Sequence, residues 1–169
     1  MSTFHVEPFF DPATFTLTFV VADLATKDAV VIDPVLDYDP ASGSTSTAAV
    51  DQVTTYLRAN GLRLHYVLET HAHADHLSAA AWLRQHLGGK IAISAHIREV
   101  QQAFRHTFNL APDFGLDGSQ FDYLFEADEA FSIGNLAAVA MHVPGHTPAD
   151  IAYRVGDTNL FVGDTLFMP

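Results

Sequence analysis

Apolar and polar positions along this chain change period several times, and each change predicts an element. Residues 15–21 and 29–32 are runs rich in β-branched and aromatic side chains, separated by a polar stretch at 23–28. They predict a β-hairpin. Asp33-Pro34 closes its second strand, because proline offers no backbone N–H to a continuing ladder. Residues 39–47, with Pro40, Gly43 and a run of Ser and Thr, predict a loop. Val50, Val53 and Leu57 then fall at helical spacing, which predicts a helix over 48–60 with Gly61 as its stop. Residues 64–68 read as a short buried strand. A helix over about 77–87 follows, ended by Gly88-Gly89, and 91–94 is another strand. Ile97, Val100, Phe104 and Phe108 mark one face of an amphipathic helix. Residues 109–122 carry Pro112, Gly115 and Gly118 and read as irregular, and 131–134 as a strand and turn. The runs 137–143, 151–155 and 160–162 predict successive strands.

Strands interspersed with helices, without repeats or a low-complexity linker, predict a layered α/β (α+β) fold occupying residues 1–169 as a single domain. No apolar run reaches the length of a membrane span, and the first residues lack the basic and apolar regions of a secretion signal. These features predict a soluble, cytoplasmic protein. A net charge of −12 argues against bulk attraction to nucleic acid or an anionic membrane, but a local cationic metal could still draw in an anionic substrate. The chain has no cysteine, so disulfides and thiolate ligands are excluded. Any metal must sit among histidines and carboxylates.

Those residues are concentrated in one place. Thr70-His71-Ala72-His73-Ala74-Asp75-His76 puts three imidazoles and a carboxylate within a few positions, directly after a strand. Such ligands suit zinc and non-haem iron. His71 and His73, two apart in extended or looped backbone, can converge on one ion. Asp75 and His76, where the chain is expected to enter a helix, can serve a neighbouring position. Pro144-Gly145-His146-Thr147-Pro148 presents a second candidate, His146, on a loop stiffened by proline and glycine. Gly163-Asp164-Thr165 offers a third, Asp164, at a strand end. His5, His65, His86, His96, His106 and His142 lack partner spacing and read as surface or hydrogen-bonded residues. The thirteen phenylalanines read as core, and Trp82 as packed on a sheet. Asp33 is expected either to support the site or to cap a turn.

In this order, T-H-x-H-x-D-H, P-G-H-T and G-D resemble the metallo-β-lactamase superfamily. The resemblance implies an αββα sandwich with metals at one edge of the paired sheets. In its dinuclear form it implies His71, His73 and His146 on one metal, and Asp75, His76 and Asp164 on a second, with Asp164 bridging. The segments Asp33-Pro34-Val35-Leu36-Asp37-Tyr38, 69–76, 108–125 and 161–169 look more specifically like bacterial persulfide dioxygenases, which are similar to glyoxalase II but bind one iron. That branch implies iron ligands His71, His146 and Asp164, with His73, Asp75 and His76 around them. The implied reaction oxidises glutathione persulfide to glutathione and sulfite with Fe(II).

Two other functions compete. One is zinc-dependent hydrolysis of a glutathione thioester of the glyoxalase II type, with Asp75 as a catalytic residue that orients the attacking hydroxide. The other is a non-catalytic metal-binding fragment. The superfamily normally continues beyond the position of Pro169 with further strands, helices and thiol-holding residues. The expectation is therefore a sandwich incomplete at its C-terminus, prone to self-association or homo-oligomer formation through exposed sheet surface.

Overall fold

The computed structural model describes residues 4–167. Its contacts divide the chain into two compact units. One comprises the chain up to Leu68 together with His73–Ile91 and Ser132–Leu136. The other comprises Glu69–Ala72, Ala92–Phe131 and the chain from Ala137 onward.

The first unit begins with β1 (Phe4–Asp11), β2 (Thr16–Asp23) and β3 (Asp28–Ile32), each antiparallel to the next. The expected hairpin is therefore β2–β3. The strand β1 was not legible beforehand, because Pro8 and the paired Phe9-Phe10 break its alternation; proline is tolerated there because β1 lies at a sheet edge. Next come β4 (Val35–Asp39) and β5 (Ser44–Ser46), paired antiparallel where a loop was expected. The three residues of β5 are all exposed, so no apolar face advertises the strand.

Helix α1 (Ala48–Ala59) buries Val50, Val53 and Leu57 and supplies the crossover to β6 (Arg63–Leu68), which pairs parallel to β3. Every residue of β3 is buried, which explains its unbroken apolar run. Each large aliphatic residue buried there contributes about 1.5–3 kcal/mol. The predicted helix over 77–87 starts late: Leu77–Ser78 is β7, paired with β4, and α2 is Ala80–Leu87. Asp75 and His76 thus lie in irregular chain before β7, not at a helix entrance. Trp82 is half-buried and stacks on His86, with ring centroids 4.0 Å apart.

In the second unit, β8 (Lys90–Ser94) reaches across the boundary and is followed by α3 (Ile97–Thr107) and β9 (Tyr123–Phe125), which pairs parallel to β8. Ile93, Ile97, Val100 and Ala149 form a buried cluster against which Ala72, Phe121 and Leu124 pack. The buried face of α3 differs from expectation. Phe104 and Phe108 are exposed and meet edge to face, with centroids 5.2 Å apart. Gln101 is buried instead: its amide donates to Gln120 Oε1 at 2.8 Å and accepts the Gly118 N–H at 3.1 Å, which orders the irregular 109–122 segment. Phe10, Phe15, Phe114 and Phe167 are exposed as well, so the phenylalanines are only partly core. The strands β10 (Glu129–Ile133), β11 (Leu136–His142), β12 (Ile151–Val155) and β13 (Asn159–Phe161) complete the order, with β11, β12 and β13 joined antiparallel. A 3-10 turn at Gly163–Thr165 ends the elements. No helix among the described residues is long and apolar enough to cross a membrane.

Candidate metal centre

Each unit carries a group of side chains with metal-binding chemistry. In the second unit the residues before His71 are held by their backbone. The Glu69 N–H donates to the Ala92 carbonyl at 2.9 Å, and the Glu69 carbonyl accepts the Tyr153 hydroxyl at 2.9 Å. The Thr70 carbonyl accepts the Ile151 N–H at 3.0 Å. His71 follows with 2% exposure, its Nδ1 3.0 Å from Thr70 Oγ1.

His146 sits on a loop closed at its base by the Val143 N–H donating to the Asp150 carbonyl, and within by the Gly145 N–H donating to Thr147. The buried Asp150 carboxylate accepts the Thr147 N–H at 2.8 Å and its hydroxyl at 2.5 Å. His142 Nε2 donates to the Pro148 carbonyl at 2.9 Å. The His146 ring itself is exposed. Asp164 lies in the 3-10 turn just past β13.

Three chain segments thus bring His71, His146 and Asp164 into one group. Asp164 Oδ2 stands 3.6 Å from His146 Nε2 and 3.9 Å from His71 Nε2, and the two rings meet at 85° with centroids 5.0 Å apart. These gaps are too long for hydrogen bonds. They suit donors that share an ion, because ligand bonds of about 2.0–2.2 Å leave two ligands roughly 3–4 Å apart. The donor set fits a divalent cation.

In the first unit His73, Asp75 and His76 form the other group. His73 Nε2 lies 3.1 Å from Asp33 Oδ1, and the His73 and His76 rings are 4.2 Å apart. Asp33 is buried at φ +48°; its N–H donates to the Leu68 carbonyl and its carbonyl accepts the Thr18 hydroxyl. The His76 side chain is only 1% exposed and its Nδ1 lies 3.3 Å from Asp75 Oδ2, yet neither ring nitrogen is in hydrogen-bond geometry with a described residue. Burial pushes the His76 pKa down, the neighbouring His73 adds to this, and Asp75 opposes it. The neutral form, which is the metal-binding form, is favoured. Burial works to raise the Asp75 pKa, but His76 and the charge of His73 outweigh it and the net shift is downward. Thr16 Oγ1 reaches Asp75 Oδ2 at 3.4 Å. A cavity of about 730 Å³ lies between this segment and the β4–β5 hairpin.

Every expected site residue therefore falls in one of two groups. His71, His146 and Asp164 stand together, as in the mononuclear assignment; His73, Asp75 and His76 stand together in the other unit. Most of the histidines set aside have ordinary partners: His5 with Glu7, His65 with Asp28, His96 with Glu99, His86 with the Trp82 carbonyl. Supporting residues were less legible from sequence. Thr70 and Asp150 were unassigned, and Asp33 was ambiguous. The spacing Thr147-Pro148-Ala149-Asp150 was a usable signal, because a hydroxyl three residues before a carboxylate is a capping pattern.

A family model described as the metallo-beta-lactamase superfamily matches residues 11–169. A probable metallo-hydrolase of Burkholderia pseudomallei is 49% identical over 97% of this chain and 59% of its own. Glyoxylase B2 of Dictyostelium discoideum is 41% identical, over 97% of this chain and 56% of its own. Mitochondrial persulfide dioxygenase ETHE1 of Homo sapiens is 28% identical, over 94% of this chain and 51% of its own. The crystal structure of ETHE1 from Myxococcus xanthus superposes with a TM-score of 0.72 at 27% identity, over 97% of this chain and 59% of that one. The chain thus spans between half and three fifths of the length of these relatives. The strand-rich mixed α/β fold expected from the motifs is the fold of that superfamily.

Proposed function

The chain belongs to the metallo-beta-lactamase superfamily, and we propose that within it the protein oxidises glutathione persulfide to glutathione and sulfite at a single iron. The observation that carries this reading is the donor set His71, His146 and Asp164: two imidazoles and one carboxylate in one group. That set suits non-haem iron and leaves coordination positions open. The similarity to persulfide dioxygenases supports it.

In this reading His71, His146 and Asp164 hold the metal, and Asp150 stiffens the loop that presents His146. His73 is engaged through Nε2 by Asp33 and serves the surroundings rather than the ion. Iron, when bound, supplies the redox change and the open positions that the chemistry requires. The balance is one persulfide, one dioxygen and one water giving one thiol and one sulfurous acid; the outer sulfur is oxidised and dioxygen reduced. Residues 1–169 act as one domain on a small-molecule thiol.

A second reading has its own observation. The buried His76 nitrogens have no hydrogen-bond partner among the described residues, as a second metal ligand would. With two zincs the activity would be hydrolysis of a glutathione thioester, Asp75 orienting the nucleophile, and the relatives named metallo-hydrolase and glyoxylase favour it. The two readings separate on reconstituted protein. Iron loading should give oxygen uptake and sulfite from glutathione persulfide, and zinc loading should not, because zinc has no redox change. Rapid hydrolysis of an acylglutathione, with no oxygen uptake by the iron form, would replace the first reading by the second.

A further inference from the structure

Thr70 touches three parts of the candidate centre. Its side chain lies beside His71, with Oγ1 3.0 Å from the imidazole Nδ1. Its carbonyl accepts the N–H of Ile151, the first residue of β12 and the end of the His146 loop. Its other side faces Gly163, the residue before Asp164. A Cβ built on Gly163 would fall 2.3 Å from Thr70 Oγ1 and 2.8 Å from Thr70 Cβ. Gly163 also holds φ +51°, where a side chain is strained whatever the space. The hydroxyl is thus wedged between one ligand's ring and the backbone that carries another, in a residue only 1% exposed.

We infer that Thr70 is the positioning residue of the metal centre: it fixes the His71 tautomer, and it sets how closely the Gly163-Asp164 turn approaches. The inference rests on His71, His146 and Asp164 as the metal-holding set. The nitrogen of His71 that faces Asp164 is Nε2. To bind a cation Nε2 must carry its lone pair, so Nδ1 carries the hydrogen. The bond then runs from Nδ1–H to Thr70 Oγ1, with the hydroxyl oxygen as acceptor. The partner of one imidazole nitrogen decides which nitrogen is free for metal. A serine preserves the oxygen, and a valine preserves the shape without it.

The test measures affinity for Zn(II) and Fe(II) by chelator competition in the whole chain, for Thr70→Val, Thr70→Ser, Gly163→Ala and His71→Ala. Thr70→Val should lose about 10–100-fold in metal affinity, the usual range for a partner of a ligand histidine. Thr70→Ser should recover most of it. Gly163→Ala should weaken binding at least as much as Thr70→Val. Parental affinity in Thr70→Val, or no recovery in Thr70→Ser, overturns the inference. A second measurement needs no variant: nitrogen-15 NMR of the metal-free protein at alkaline pH should show His71 as the Nδ1–H tautomer, and an Nε2–H tautomer overturns it. Unchanged metal binding in His71→Ala would remove the metal-holding set itself. Loss in His71→Ala with none in Thr70→Val removes the Thr70 inference alone.

Discussion

The two groups of candidate ligands differ in how the chain makes them. His73, Asp75 and His76 are near neighbours in sequence, and two of them have hydrogen-bond partners elsewhere: His73 with Asp33, and Asp75 with Thr16. His71, His146 and Asp164 come from three distant segments, each tied down by backbone bonds or a buried side chain, and their donor atoms face each other across gaps of 3.6 and 3.9 Å. Both groups bring their ligand atoms within 4.8 Å of one another, and our proposal places the metal in the dispersed one.

The largest expected effect breaks this comparison outright. His71→Ala and His146→Ala should each abolish stoichiometric binding of the catalytic metal, as read by elemental analysis after dialysis. Full occupancy in both would reverse the roles of the two groups. A smaller effect is expected from His76→Ala, which should leave metal content unchanged and lower activity. Loss of half the metal would make the second group a metal site in its own right.

Asp33→Asn keeps the shape at φ +48° but removes the charge facing His73. It should cost about 1 kcal/mol of stability in chemical denaturation, within the range for a hydrogen bond to a charged group losing that charge, with metal content intact. If Asp33→Asn instead released metal, His73 would have to be counted among the ligands.

The smallest effect lies away from both groups. Asp23 has its pKa lowered, chiefly by the Asn135 N–H at 2.9 Å, against the opposing effect of burial and with help from Ala25 and Thr26. A carboxylate with a lowered folded pKa contributes stability above its unfolded value of 3.8, and that stability is lost as pH falls through the folded pKa. Asp23→Asn should therefore flatten the acid limb of the unfolding midpoint against pH. An unchanged limb would mean that Asp23 does not anchor the 132–136 segment.

The sequence made the elements with a clear period legible: β2, β3, α1, β6 and β12 lie within a few residues of their expected places. Elements without such a signal were not. The strand β1 carries a proline, β5 is polar on both faces, and β7 is two residues long and exists through pairing with β4. The candidate ligands were legible because few other roles place so many imidazoles beside one carboxylate. What binds them into groups was not, because it depends on contacts across long separations: Thr70 with Gly163, Asp33 with His73, Tyr153 with the Glu69 carbonyl. The helix α3 shows the reverse error. Its apolar spacing selected Phe104 and Phe108, yet tertiary contacts bury Gln101, whose amide has partners there.

The most direct test is a crystal of the iron-reconstituted protein with anomalous scattering measured at the iron edge. The account predicts one strong peak within bonding distance, about 2.0–2.2 Å, of His71 Nε2, His146 Nε2 and an Asp164 carboxylate oxygen. A peak held by His73, Asp75 and His76 with the first group empty would contradict it.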